Sequence, residues 1–265
     1  MKHAKRIAIV PDGHKQIHLL LLIFVICLYL FSLIQLKLNY ESGLNGFSKA
    51  FNFMFRMLNL NITEWQDILK AALESISVAV LATIISALFA FFTSFLAASN
   101  VSVNWLIWFL KGFTATIRAV PTLIWALIFV AFLGLGPFAG VLGLCFHSYA
   151  YLVKAFSQAI EEVHESAIEA MKATGSSWLQ IMARGVVPTI KTSIIAWTAL
   201  RFEINIAQSS ILGFVGAGGI GHELSYVLRL FEFEKVGFIL LVIFLMSFSV
   251  EMIFNKLKIN VDKIN

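Results

Sequence analysis

The chain has 265 residues, of which 59% are hydrophobic and 13% charged, with a mean hydropathy of +0.86 and a formal net charge of +5. A soluble domain carries about 25% charged residues, so this deficit excludes an ordinary globular protein and points to a chain whose main solvent is lipid. The positive balance is scattered, with no basic stripe interleaved with aromatics, which excludes a nucleic-acid binder and leaves membrane orientation as the meaning of the charge.

The first predicted element is residues 17–36 (IHLLLLIFVICLYLFSLIQL), twenty residues with no formal charge. That length crosses a bilayer core of about 30 Å as a helix. Lys2, Lys5, Arg6 and Lys15 precede it, as in a signal peptide, but no small-x-small cleavage site follows, so a retained helix is expected. In the next segment, 37–70, Phe47, Phe51, Met54, Phe55 and Leu58 fall at helical spacing. They predict either an amphipathic helix on the membrane face or part of a packed external cap. The second span is expected at 75–98, its helix starting earlier because Thr63 and Gln66 have capping-box spacing.

Residues 121–153 contain no Asp, Glu, Lys or Arg and are too long for one straight span. The break GLGPFAG at 134–140 divides them into a third and a fourth span. Segment 157–187 (SQAIEEVHESAIEAMKATGSSWLQIMARGVV) is polar and reads as two short amphipathic helices. The first covers about 158–173, with Glu165 and Glu169 on its polar side and Gly175 as its terminator. Ser176 or Ser177 caps the second, which carries Trp178, Ile181 and Met182 on an apolar face. Pro188 opens a fifth span at 189–214, and a sixth runs 236–254. Such a hairpin either covers the ends of the spans or forms a docking knob for a soluble partner.

Six spans put both termini on one side. That side holds thirteen Lys and Arg residues, in the N-tail, in 99–120, in 154–191 and in the C-tail. The other side holds six: Lys37, Lys49, Arg56, Lys70, Arg229 and Lys235. The positive-inside rule therefore expects both termini in the cytoplasm. Cys27 and Cys145 lie in apolar runs away from any metal-ligand spacing, so packing thiols are expected and no metal site.

The fifth span carries Arg201, Glu203, Asn205, Gln208 and Ser209. Ionisable groups in a span cost about 2.5 to 3.5 kcal/mol each on insertion scales and usually mark a pathway or a bundle interior. Arg201, Asn205 and Gln208 recur on one stripe, whereas Arg201 and Glu203 point about 200° apart and are not expected to pair with each other. The stripe is read as lining a translocation route, against a structural polar network with Glu203 as a member. His147 is expected as a hydrogen-bonded packing residue, with a contact to the substrate as the alternative, and Arg118 as an interfacial anchor or a contact to the coupling region rather than a ligand.

After that span, Gly216, Gly218 and Gly221 spell G-x-G-x-x-G, with Glu234 downstream, the fingerprint of a dinucleotide site. That site needs a strand before the glycines and a soluble βαβ unit around them, and here they separate two membrane spans. Gly216, Gly218, Gly219 and Gly221 are instead expected to form a sharp turn or gate hinge, whose exposed N–H groups would suit a passing anion.

Two patterns carry a resemblance. Glu169-Ala170-Met171, Gly175 and Pro188 are similar to the EAA loop of ABC importer permeases, whose pattern is Glu-Ala-Ala, three residues, Gly, nine residues, Ile, any residue, Leu-Pro. The chain departs from it at Met171, at Gly185 in the Ile position and at Val187 in the Leu position. RAVPTLIWALIFVAFLGLGPFAGVLGLCFHS (118–148) and RFEINIAQSSILGFVGAGGIGHEL (201–224) resemble the permease subunit of phosphonate ABC importers, over roughly 70–255.

The resemblance implies an all-α integral membrane protein with the methionine-importer-like, type I permease core at 71–255 and a coupling loop at 157–187. Residues 1–16 would then be a cytoplasmic N-tail and 256–265 a cytoplasmic C-tail. It implies a second permease chain, two cytoplasmic ATPases docked through Glu165, Glu169, Ala170, Gly175, Trp178 and Pro188, and an external substrate-binding protein. ATP and Mg would sit on the ATPase, since no G-x-x-x-x-G-K-[ST] occurs here, and no cofactor is expected on this chain. The expected cargo is phosphonate, with phosphite, phosphate or an amino acid as alternatives. A channel, a secondary transporter or a membrane enzyme are the rivals; no H-E-x-x-H or G-x-S-x-G favours the last.

Overall fold

The structure is a computed structural model that describes residues 12–36 and 40–262. Lys2, Lys5, Arg6, Lys37 and Lys263 lie outside the described residues. Eleven α-helices and no strand are found among the described residues. By packing the chain divides after Met54.

In the first unit, α1 (Asp12–Gln35) presents its apolar residues all round, and none of its described side chains is buried. A helix of that kind is stable only in an apolar solvent. Cys27 is exposed on it, so the expected packing role holds only for the half-buried Cys145. The helix α2 (Tyr40–Leu58) forms across the predicted amphipathic stripe, whose five residues stand exposed.

The second unit is built on α3 (Trp65–Ala97) and α6 (Pro137–Glu161). The buried positions of α3 include Ala71, Ser75, Ala79, Ala82, Ser86, Ala90 and Ser94, a stripe of small side chains. Small residues let helix backbones approach closely where lipid offers no hydrophobic drive. At 33 residues α3 is about 50 Å long, more than the bilayer core requires. Its start is not the expected capping box. Asn61 Oδ1 accepts from both the backbone N–H and the hydroxyl of Thr63, which ties up the hydroxyl, and Glu64 holds the cap position at φ 65°.

Residues 99–120 were expected to be a connection, yet they contain α4 (Asn104–Ala119), followed by α5 (Thr122–Leu133) at an 87° bend. The physical reason is Val120-Pro121, because a residue before proline is pushed out of the helical region. Trp125 Nε1 donates to the Ile117 carbonyl across the corner (3.0 Å). With twelve residues, α5 covers only about 18 Å and cannot be a complete third span by itself. Among the described residues four helices are long and apolar enough to cross a membrane, and up to six spans result when each of two bent pairs is one span.

The polar segment also differs from expectation at its start. Helix α6 runs on to Glu161, and the first short helix is α7 (Glu165–Ala173). The end of α6 is fastened to the α3–α4 linker: Glu161 accepts from Ser99 N–H and pairs with Lys111, both at 2.8 Å, while Asn100 donates to the Ile160 carbonyl. Gly175 closes α7 at φ 78°, with Ser176 N–H bonded to the Met171 carbonyl and Gly175 N–H to that of Lys172. Ser177, not Ser176, caps α8 (Trp178–Ile181) in a reciprocal box with Gln180. A π turn at Met182–Val186 leads directly into α9 (Val187–Leu212). Pro188 has no N–H to donate and its ring crowds the carbonyl four residues back, and the widened turn accommodates both. The last helices are α10 (Ile220–Arg229) and α11 (Phe233–Asp262).

Candidate functional site

Helices α3, α6 and α9 bring a polar network together inside the apolar bundle. Arg201 and Asn205, one turn apart on α9, are 2% and 0% exposed. Arg201 Nε donates to Ser148 Oγ (2.9 Å), which donates to Asn205 Oδ1 (2.9 Å). Asn205 Nδ2 donates to Thr83 Oγ1 (2.8 Å), and that hydroxyl donates to the Ala79 carbonyl (2.7 Å). Each hydroxyl thus accepts one bond and gives one, a fully satisfied directional chain across three helices. Arg201 Nη2 reaches His147 Nδ1 (3.1 Å) and Gln208 Oε1 (3.2 Å), and the Tyr151 ring lies 5.3 Å from its Cζ.

Every side chain bonded to this guanidinium is neutral. A buried charge without a counter-charge is expensive and is usually paired or in contact with a charged ligand. Glu203, half-buried two positions along, bonds to none of these groups, as its orientation predicts. Ser209 is buried but turns its hydroxyl back to the Ile206 carbonyl of its own helix (2.8 Å). The structure therefore joins Arg201, Asn205 and Gln208 and leaves Glu203 and Ser209 outside the network. Thr83, Ser148 and Tyr151 escape sequence reasoning, because Thr83 lies 122 residues and Ser148 57 residues from Asn205. His147, expected to be a packing residue, is bonded directly to Arg201.

The glycine-rich turn sits at one end of this bundle. Gly216, Gly218 and Gly219 adopt φ of 86°, 74° and 71°, a region that strongly favours glycine. Gly221 lies where a Cβ would overlap the Ser210 carbonyl oxygen, so its lack of a side chain lets α10 fold against the end of α9. Gly219 N–H donates to Glu74 (2.9 Å) and Ile220 N–H to Ser75 (2.9 Å), both on α3. The Gly216 carbonyl accepts from Gly136 N–H of the other glycine-rich turn (2.9 Å). The N–H groups expected to face an anion are thus used inside the chain at Gly219 and Ile220. The glycines join α9 to α10 with no strand before them, which removes the dinucleotide reading, and Glu234 lies in the first turn of α11.

At the opposite end, α7 and α8 bury Ile168, Ile181 and Met182 and leave Glu165, Glu169 and Ala170 exposed. Trp178 is 44% exposed, and its indole N–H donates to the Val101 carbonyl of the α3–α4 linker (3.0 Å). Pro188 is exposed at the start of α9. Two of the three departures from the EAA pattern meet: Met171 Sδ lies 2.5 Å from where a Cβ on Gly185 would be. The Met171 side chain thus occupies the space that a side chain at position 185 would need.

Residues 90–258 match the family described as "Binding-protein-dependent transport system inner membrane component". The chain is 32% identical over 204 residues to the phosphite transport system permease protein PtxC of Stutzerimonas stutzeri, covering 77% of this chain and 74% of that protein. It is 36% identical over 186 residues to the phosphate-import permease protein PhnE of Mycolicibacterium smegmatis, covering 70% of this chain and 35% of that longer relative. Its fold matches a crystal structure of the MetNI methionine ABC transporter in an inward-facing conformation, with a TM-score of 0.63 at 17% identity, over 74% of this chain and 98% of that one.

Proposed function

The chain belongs to the family of binding-protein-dependent transport system inner membrane components, and from that premise we propose that it is the permease of an ATP-driven importer for phosphonate or a related phosphorus oxyanion. As a member of that family it is a transport subunit rather than an enzyme. Two copies face each other, each docked on one cytoplasmic ABC ATPase that holds the ATP and Mg, and an external binding protein delivers the anion. The coupling surface is the α7–α8 hairpin with Glu165, Glu169, Ala170, Gly175, Trp178 and Pro188. Both termini and this hairpin are cytoplasmic, and the glycine-rich turns are external.

Transport proceeds by alternating access, with closure of the ATPases drawing the hairpins together and the continuous α8–α9 rod carrying that movement to the route. Arg201, Asn205 and Gln208 belong to the route. Glu203 and Ser209 belong to the same pathway-bearing span, and Gly216, Gly218, Gly219 and Gly221 are the hinge of the external gate. The observation that carries the reading is Arg201: a buried guanidinium whose bonded partners are all neutral, with Nη1 left to donate, suits an anion. The names of the relatives, for phosphite and phosphate, support the same class of cargo.

The test is reconstitution of the permease with its ATPase and binding protein in proteoliposomes, with uptake measured for methylphosphonate, phosphite, phosphate and methionine. Uptake of a phosphorus oxyanion, abolished by Arg201→Ala in an assembled complex, is expected. Normal transport by Arg201→Ala, or uptake of methionine alone, would overturn the reading.

A further inference from the structure

We propose that His147 and Arg201 together form a transit site for a tetrahedral phosphorus oxyanion, in which the His147 Nε2–H is a neutral donor beside the charged guanidinium. This rests on the pathway reading above and adds His147 to it. A guanidinium has no acceptor, so the 3.1 Å contact requires Arg201 Nη2–H to donate to His147 Nδ1. Nδ1 must then be bare, and the neutral ring carries its proton on Nε2. A doubly protonated ring would have no acceptor to offer and would repel the guanidinium. Arg201 therefore selects the tautomer that points a donor away from itself.

That donor has no acceptor among the described residues, and His147 is half-buried. Arg201 Nη1 likewise donates to nothing among the described residues, while Nε is held from behind by Ser148 and the Tyr151 ring lies against the guanidinium. Two donors on residues bonded to each other, one charged and one neutral, are thus left without a partner, and no carboxylate is bonded to either. His147 also stands within electrostatic reach of Arg118 at the α4–α5 corner, where Trp125 joins Ile117 to the ring of Phe146 at 4.6 Å. The positive potential of that corner adds to the attraction. Two phosphorus-bound oxygens can take the two donors. So few contacts make a weak site, as transit requires.

The test uses the reconstituted complex and reads anion moved per ATP hydrolysed, with radiolabelled phosphate and methylphosphonate as probes. His147→Gln carries its amide to about the position of Nε2, whereas His147→Asn reaches only that of Nδ1. Both are small polar changes, so the comparison separates the donor from mere packing. His147→Gln is expected to keep most of the coupling ratio and His147→Asn to lose about tenfold, the effect of one lost hydrogen bond to a charged group. Equal ratios in the two variants, both kept or both lost, would overturn the proposal, as would failure of both to assemble. Arg201→Ala distinguishes the levels: if it abolishes uptake while both His147 variants couple normally, the pathway stands and the His147 site falls. If Arg201→Ala transports normally, the pathway reading itself falls.

Discussion

Asn205 and Arg201 share one network but differ in what their loss should do. Asn205 is completely buried and bridges Ser148 and Thr83, so Asn205→Ala takes one bond from each and leaves the Ser148 hydroxyl proton without its acceptor in an apolar interior. A loss of about 1 to 3 kcal/mol is expected, read as a lowered Tm of the detergent-purified protein. Glu203→Gln, by contrast, breaks no bond among the described residues and should leave Tm unchanged; an equal fall in both would refute the distinction. Met171 and Gly185 offer a second test at this scale. Gly185→Ile forces a branched side chain onto Met171 and should cost about 1 to 3 kcal/mol by overpacking. Adding Met171→Ala restores the family's arrangement of volumes, and a double-mutant cycle should return a favourable coupling of about 0.5 to 3 kcal/mol. Additive effects would mean that the departures at Met171 and Gly185 are unrelated.

At the scale of elements, the α7–α8 hairpin is held by a glycine turn, a reciprocal Ser177–Gln180 cap and the Trp178 bond to Val101. It continues through the π turn into α9 with no flexible joint, which suits transmission of force. Deleting residues 161–182 should leave ATP hydrolysis in the assembled complex unresponsive to the loaded binding protein. A response that persists would remove the hairpin from coupling. At the other end, Glu74 and Ser75 of α3 hold the N–H groups that begin α10, and Gly136 ties the second glycine turn to the first. Glu74→Ala should loosen this closure, seen as faster hydrogen exchange at Gly219 and His222. Unchanged exchange there would show that the turn is held by its own backbone.

For the whole molecule, the orientation is open to direct measurement. In a background with Cys27→Ser and Cys145→Ser, Ser176→Cys should react with an impermeant maleimide only in inside-out vesicles, and Thr63→Cys only in right-side-out ones. The reverse pattern would invert the topology drawn from the Lys and Arg distribution. Both positions are exposed or half-buried, so reagent access depends on the side of the membrane.

The sequence by itself determined the membrane class, the approximate spans, the polar hairpin and the family, because hydropathy, charge asymmetry and the EAA-like spacing are local properties that no tertiary contact is needed to express. It also made legible the Arg201–Asn205–Gln208 stripe, which is set by helical periodicity alone. It gave α3 the wrong cap, missed α4 and misplaced the end of α6, where Asn61, Trp125 and Glu161 make bonds that compete with local propensity. Only the tertiary structure decided that Thr83 and Ser148 complete the network, that His147 faces Arg201, that Glu74 caps the glycine turn and that Met171 fills the space over Gly185. Most of these pairs are far apart along the chain, and a close helix contact through small residues, rather than any pattern along one helix, puts their polar atoms within hydrogen-bonding distance.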